Sequence, residues 1–267
     1  MKFIHLTDIH VTDPGATLFG QSPNLTLERC IDDIGRAHSD ADLCVITGDL
    51  THNGTGSEYM AARGILDRLG PRKLMLIGNH DQRGPALDHL SELVADNNGF
   101  LQQAIQTEAG VFVLMDTKTE GTNAGSYCPA RQDWLAQILQ EHHDQPVWLF
   151  MHHPPFDTGL PAMDQIAMAP QDADAIARLA IEHGDARHLF FGHFHRPMSG
   201  TWKGIPFSSH RSMMIQCALD FEKAGEVSGI FEEPQYAVVT INQNMTRIHY
   251  HDFDSSAARL SMGEPEH

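Results

Sequence analysis

Apolar residues recur along the chain in short runs, and most runs are followed by a stretch with helical spacing. Phe3–Leu6, Leu43–Thr47, Lys73–Ile77, Val111–Met115, Val147–Met151 and His188–Phe191 each have the length and composition of a buried strand. Between them the apolar spacing changes to three and four. Leu27, Ile31 and Ile34 share one face of a helix starting near Leu25. Ser57 is placed to cap a helix carrying Tyr59, Ile65, Leu66 and Leu69, and Gly70-Pro71 stops it. Residues 86–95 read as helical. Pro129 opens a helix through Trp134, Leu135, Ile138 and Leu139, and Ala173–Glu182 forms another. Such alternation predicts a layered α/β protein.

After Phe194 the pattern changes. Trp202–Phe207, Met213–Leu219, Gln235–Ile241 and Thr246–His251 read as strands with few helices between them. This divides the chain into a core of residues 1–200 and a β-rich part, 201–267, expected to complete the second sheet. Within it, 221–234 reads as a loop or excursion that could cap the core or contact another copy. The small polar residues 254–267 are expected to be loose.

Composition narrows the function. The 267 residues carry 35 Asp+Glu against 18 Lys+Arg, a net charge of −17. That balance opposes a nucleic-acid polymer as partner and adhesion to an anionic membrane. No apolar run is long enough to span a bilayer and the N-terminus does not read as a signal peptide. Four scattered cysteines, Cys30, Cys44, Cys128 and Cys217, read as reduced thiols of a cytoplasmic protein. The 18 histidines equal the whole Lys+Arg count, and histidine is the commonest metal ligand.

Their positions matter more than their number. Asp8-Ile9-His10, Gly48-Asp49, Gly78-Asn79-His80-Asp81, His152-His153-Pro154-Pro155 and Gly192-His193-Phe194-His195 each stand at or just past the end of an apolar run. Open α/β sheets bind ligands at the carboxyl ends of their strands. In an extended chain residues i and i+2 face one side, so Asp8 with His10, and His193 with His195, are expected to converge. Each cluster alone has an ordinary reading as a turn or a solvated edge. Five together point to a metal site. Asp8, His10, Asp49, Asn79, His152, His193 and His195 offer nitrogen and oxygen donors and no thiolate, which suits Mn, Fe, Co or Zn. Seven donors exceed one tetrahedral site and divide between two ions if a carboxylate bridges them.

The motifs D-x-H, GD, GNHD, H-x-P and GHxH, in this order over residues 3–196, resemble the calcineurin-like metallophosphoesterase superfamily. Phe150–Pro155 and the stretch Gly20 to Leu27 are similar to its bacterial class III cyclic nucleotide phosphodiesterases and glycerophosphodiesterases. The resemblance implies a four-layer α/β/β/α sandwich of two mixed sheets flanked by helices. It implies that Asp8, His10 and His195 hold one metal, that Asn79, His152 and His193 hold the other, and that Asp49 bridges. Two cations about 3.5–4 Å apart clamp the attacking and leaving oxygens of an in-line displacement.

The expected substrate is a small anionic phosphodiester, a 3′,5′-cyclic nucleotide or a glycerophosphodiester. A phosphomonoesterase or nuclease on the same core is the alternative, and a scaffold without catalysis is a third reading. His80 either contacts the phosphate as catalytic residue or supports Asn79. Asp81 is expected to orient a ligand or cap the turn. His153, His210 and Asn53 are candidate substrate contacts, each with an equally simple reading as a supporting or loop residue. The resemblance also implies a homo-oligomer, a dimer or larger.

Overall fold

The computed structural model describes residues 1–256, so the expectation for the end of the chain lies partly outside the described residues. In chain order the strands are β1 (Lys2–Leu6), β2 (Leu43–Thr47), β3 (Arg72–Leu76), β4 (Gln103–Gln106), β5 (Val111–Leu114), β6 (Val147–Phe150), β7 (Ala186–Phe190), β8 (Met198–Trp202), β9 (Ile205–Ser209), β10 (Gln216–Cys217), β11 (Gly229–Ile230), β12 (Tyr236–Asn242) and β13 (Met245–His251). The helices are α1 (Pro23–Ala37), α2 (Gly56–Leu66), α3 (Arg83–His89), α4 (Pro129–Glu141), α5 (Pro161–Asp164) and α6 (Pro170–His183).

Two mixed sheets face each other. The first runs β13-β12-β1-β2-β3 and the second β4-β5-β6-β7-β9-β8. Strands β1 to β3 are mutually parallel, as are β5, β6, β7 and β9, and antiparallel strands close every edge except that of β3. Alternation along each strand separates the layers. Phe3, Val45, Leu74, Phe112, Phe150 and Phe190 fill the space between the sheets. Ile4, Cys44 and Met75 point outward to α1 and α2, and Val113, Leu149 and Leu189 point outward to α4 and α6. The result is the expected α/β/β/α sandwich. Phe3 packs edge-on against Phe112, Phe150 and Phe190, with centroids 5.2–5.9 Å apart, a geometry aromatic rings favour.

Three expectations about strands need correction. Residues after 200 do not complete the second sheet alone: β9 and β8 extend that sheet, whereas β12 and β13 extend the first. The expected strand 202–207 is instead a hairpin, turning at Lys203 and Gly204, both at positive φ. The expected strand 213–219 shrinks to β10. Its neighbours bond locally instead, with Gln216 Oε1 accepting from Ser212 N–H at 2.8 Å and Ser212 Oγ donating to Ile215 O at 2.8 Å. Such bonds compete with a ladder.

Helix α2 is capped by Thr55 rather than Ser57. Thr55 Oγ1 accepts from Glu58 N–H and the Glu58 carboxylate accepts from Thr55 N–H, a capping box. Among the described residues no helix is long and apolar enough to cross a membrane.

Candidate metal centre

The parallel strands of both sheets end at one edge of the sandwich, and the five motifs meet there. Asp8 follows β1, Asp49 follows β2, Asn79 follows β3, His152 follows β6, and His193 and His195 follow β7. All but His195 are buried, and His195 is partly so. Asp8, His10, Asp49, His193 and His195 all take positive φ, between 43° and 66°. Their side chains therefore converge through left-handed kinks and not through the extended i, i+2 alternation expected from sequence. The kinks also send His193 and His195 to different groups. His195 joins Asp8, His10 and Asp49, while His193 joins His152 and His153.

Two donor groups result, with Asp49 between them. Asp49 Oδ2 lies 3.6 Å from His10 Nε2 and 3.4 Å from His152 Nε2. In the first group, His195 Nε2 lies 3.3 Å from Asp8 Oδ1 and 3.1 Å from His10 Nε2. In the second, Asn79 Oδ1 lies 3.0 Å from His152 Nε2 and 2.9 Å from His193 Nδ1. His152 Nδ1 donates to Thr47 O at 2.8 Å and His195 Nδ1 donates to Ile215 O at 2.7 Å. These bonds place the hydrogen on Nδ1 and free Nε2 as the ligand atom. Gly48, at φ +89°, has no room for a side chain, since a Cβ there would stand 2.6 Å from His152 Nδ1.

The electrostatics fit cations. Burial opposes ionisation of Asp8, but His195 and His152 hold its carboxyl well below the usual range. Burial likewise opposes Asp49, and His152 and His10 hold it down. Burial alone would lower His152, yet Asp49 lifts it to about 9. His195 is raised in the same way, against burial, by Asp8. Protons on these rings stand beside carboxylates where cations would be, and metal binding must displace them. Burial takes His10 and His193 down to about 3, leaving them neutral as ligands must be. Nδ1 of His10 and Nε2 of His193 are buried without a protein partner.

A scan against protein families matches residues 1–197 to the calcineurin-like phosphoesterases. The chain belongs to this family. It is 37% identical over 258 residues to a probable cyclic nucleotide phosphodiesterase of Rhodopseudomonas palustris, covering 95% of this chain and 93% of that protein. It is 27% identical over 236 residues to a probable glycerophosphodiester phosphodiesterase of Arcobacter nitrofigilis, covering 88% and 86%. Among solved structures, a purple acid phosphatase of yellow lupin superposes with a TM-score of 0.65 at 12% identity, over 97% of this chain and 52% of that one. That likeness carries the fold alone. The His/Asp clusters are the dinuclear metal-binding site typical of catalytic calcineurin-like phosphoesterases.

The other sequence-predicted residues separate within this family frame. His80 and Asn79 line a cavity of about 720 Å³ that opens above Asp49, His193 and His195. His80 N–H donates to Asp49 Oδ1 at 2.9 Å, and His80 Nδ1 donates to His52 O at 2.7 Å. Nε2 is left as the uncommitted nitrogen of the ring.

His153, His210 and Asn53 do not line that cavity. His153 is fully buried, its Nε2 donating to Asn123 O at 3.1 Å and its Nδ1 accepting from Thr117 Oγ1 at 2.8 Å. His210 is buried, edge-on to His5 at 4.7 Å, with Nδ1 donating to Arg211 O. Asn53 is exposed and bound by backbone and side chain to the Glu58 carboxylate. His153 stays within the donor group of His152 and His193, while His210 and Asn53 lie off the cavity.

Sequence reasoning missed Lys118, whose buried ammonium donates to Asn79 O at 3.3 Å, and the backbone carbonyl of Ile215. Neither carries a signal in sequence, because each contact ends on a backbone carbonyl, Asn79 O for Lys118 and Ile215 O for His195.

Proposed function

We propose that the chain is a two-metal phosphodiesterase of small diesters, with cyclic nucleotides and glycerophosphodiesters as the candidate substrates. The observation that carries this reading is a pair of donor groups with Asp49 between them, 3.6 Å from His10 and 3.4 Å from His152, at the floor of an open cavity. Asp8, His10, His195 and Asp49 would hold one cation; Asn79, His152, His193 and Asp49 would hold the other. The donor set suits Mn, Fe, Zn or Co. When bound, such ions polarise a phosphoryl oxygen and acidify water.

The chain's own residues supply the rest. Asn79 and His193 fix the floor against which the phosphate sits. His80, held by the His52 carbonyl and the Asp49 carboxylate, presents Nε2 to donate a hydrogen bond to a phosphate oxygen or a proton to the leaving alkoxide. The net charge of −17 repels a polyanion or a dianionic monoester more than a singly charged diester. We place the enzyme in the cytoplasm as a homo-oligomer.

A panel of cyclic AMP, glycerophosphocholine, an aryl diester and the matching monoesters, assayed with added Mn²⁺, tests the reading. Diesters are expected to turn over faster. Faster monoester turnover throughout would reject it.

A further inference from the structure

The mouth of the cavity differs chemically from its floor. Above the histidines and carboxylate stand Phe19, Met163, Ile166, Val227 and Phe231. Phe19 and Phe231 are 70% and 55% exposed, so packing within the fold does not hold either ring there. Phe19 has a second anomaly. It is the first central residue of a two-residue turn whose flanks, Leu18 and Gln21, exchange backbone hydrogen bonds of 2.8 and 2.9 Å. Phe19 and Gly20 have φ of 50° and 83°, the two positive values of a type I′ turn. Asn, Asp or Gly fits the first position; phenylalanine is strained in it. The turn is also tied at its base. Thr12 N–H donates to Asn24 Oδ1 at 2.9 Å and Asn24 Nδ2 donates to Thr12 O at 2.8 Å. A strained, exposed ring on an anchored turn beside a metal centre contributes little to the fold, and such outliers cluster at ligand sites.

We infer that Phe19 and Phe231 form an apolar slot for a flat aromatic base, so that the site prefers nucleoside cyclic phosphates to diesters of aliphatic alcohols. This rests on the phosphodiesterase reading above. A diester whose phosphate lies on the floor carries its organic groups toward the mouth. A base there stacks on a phenyl ring with a gain of about tenfold in affinity, and any base has a face to offer. The cavity, at about 720 Å³, lies inside the roughly 300–1,000 Å³ typical of small-molecule sites.

Glu226 also lines the cavity, which makes a quaternary ammonium headgroup the competing occupant. Phenyl rings hold cations less well than indole, and Met163, Ile166 and Val227 favour a flat apolar face over a charge.

The test compares hydrolysis of cyclic AMP and glycerophosphocholine by the metal-loaded wild type, Phe19→Ala, Phe231→Ala and Phe19→Trp. It adds equilibrium binding of adenosine and of choline to each. Each alanine variant is expected to raise KM for cyclic AMP about tenfold and to shift kcat/KM by the same factor toward glycerophosphocholine. Phe19→Trp restores the preference. Adenosine binds the wild type and is weakened by both alanine changes. An unchanged KM for cyclic AMP, equal losses on both diesters, or tighter binding of choline than adenosine would overturn the slot. If neither diester is hydrolysed, the phosphodiesterase reading fails. Adenosine binding that depends on Phe19 would then still uphold the slot, and binding indifferent to Phe19 would reject it.

Discussion

Asp8, His10, Asp49, His193 and His195 stand in a backbone region that residues other than glycine seldom occupy. Each such residue costs on the order of 1–2 kcal/mol. The strain is held by bonds across the site. Asp8 N–H donates to Gly48 O at 3.1 Å, His10 N–H donates to Asp49 O at 2.8 Å, and His193 N–H donates to the Asp8 carboxylate at 3.1 Å. The fold thus spends stability to point donors at common centres, which is what a metal site needs and a packed core does not. His80 differs from these residues in having no positive φ, and it groups with His10 and His52 rather than with the donors around Asp49. His80→Ala is therefore expected to lower kcat by about 10²–10⁴-fold, the range of general acid catalysis, while metal content stays unchanged. Loss of metal along with activity would make His80 a support of Asn79 instead.

At the scale of elements, the turn after β3 depends on Asp81. Its buried carboxylate accepts from the backbone N–H groups of Leu50, Thr51 and Gly78 at 2.9–3.1 Å and from the hydroxyls of Thr51 and Tyr59 at 3.1 and 2.9 Å. It clamps the ends of β2 and β3 together, which fixes Asp49 beside Asn79. Asp81→Ala leaves these donors buried and unpaired and is expected to cost about 3–5 kcal/mol by urea denaturation. A loss under 1 kcal/mol would show that water replaces the carboxylate.

Elements were legible where one periodicity ruled. The apolar runs gave β1, β2, β3, β5, β6 and β7 to within about two residues, and the motif residues after them gave the site. The path from Arg196 to Pro234 was not legible. There the apolar residues Met213 and Met214 are buried without being in a strand, because side-chain bonds to the local backbone replace a ladder. Strand β4 was missed because Gln103–Gln106 has only two apolar residues, Ala104 and Ile105, and is only partly buried. For His153 and His210 the choice between substrate contact and support was open in sequence, which gives adjacency to a motif but not which face a ring turns to.

For the whole molecule, pH acts through buried neutral histidines as well as through the metal site. His188 links β7 to β9, with Nε2 and Ser208 Oγ 2.9 Å apart. Burial pushes it down to about 4 from its ordinary 6.5. The unfolded chain therefore binds more protons between those values. Its contribution is fully present above pH 6.5 and is lost as pH falls toward 4, on the order of 3 kcal/mol at the limit. Urea unfolding of the chelated protein across this window should show a shallower acid loss in His188→Gln than in the wild type. Equal slopes would contradict the assignment.

The charge of −17 takes on a related meaning. An acidic molecule that turns Asp8 and Asp49 inward toward four histidines has prepared a centre for cations. Metal content per chain, measured after reconstitution and desalting for the wild type and Asp49→Ala, tests this most directly. Two metal ions are expected in the wild type and less than one in the variant, since both sites lose the shared carboxylate. One ion or none in the wild type, or equal occupancy in the two proteins, would contradict it.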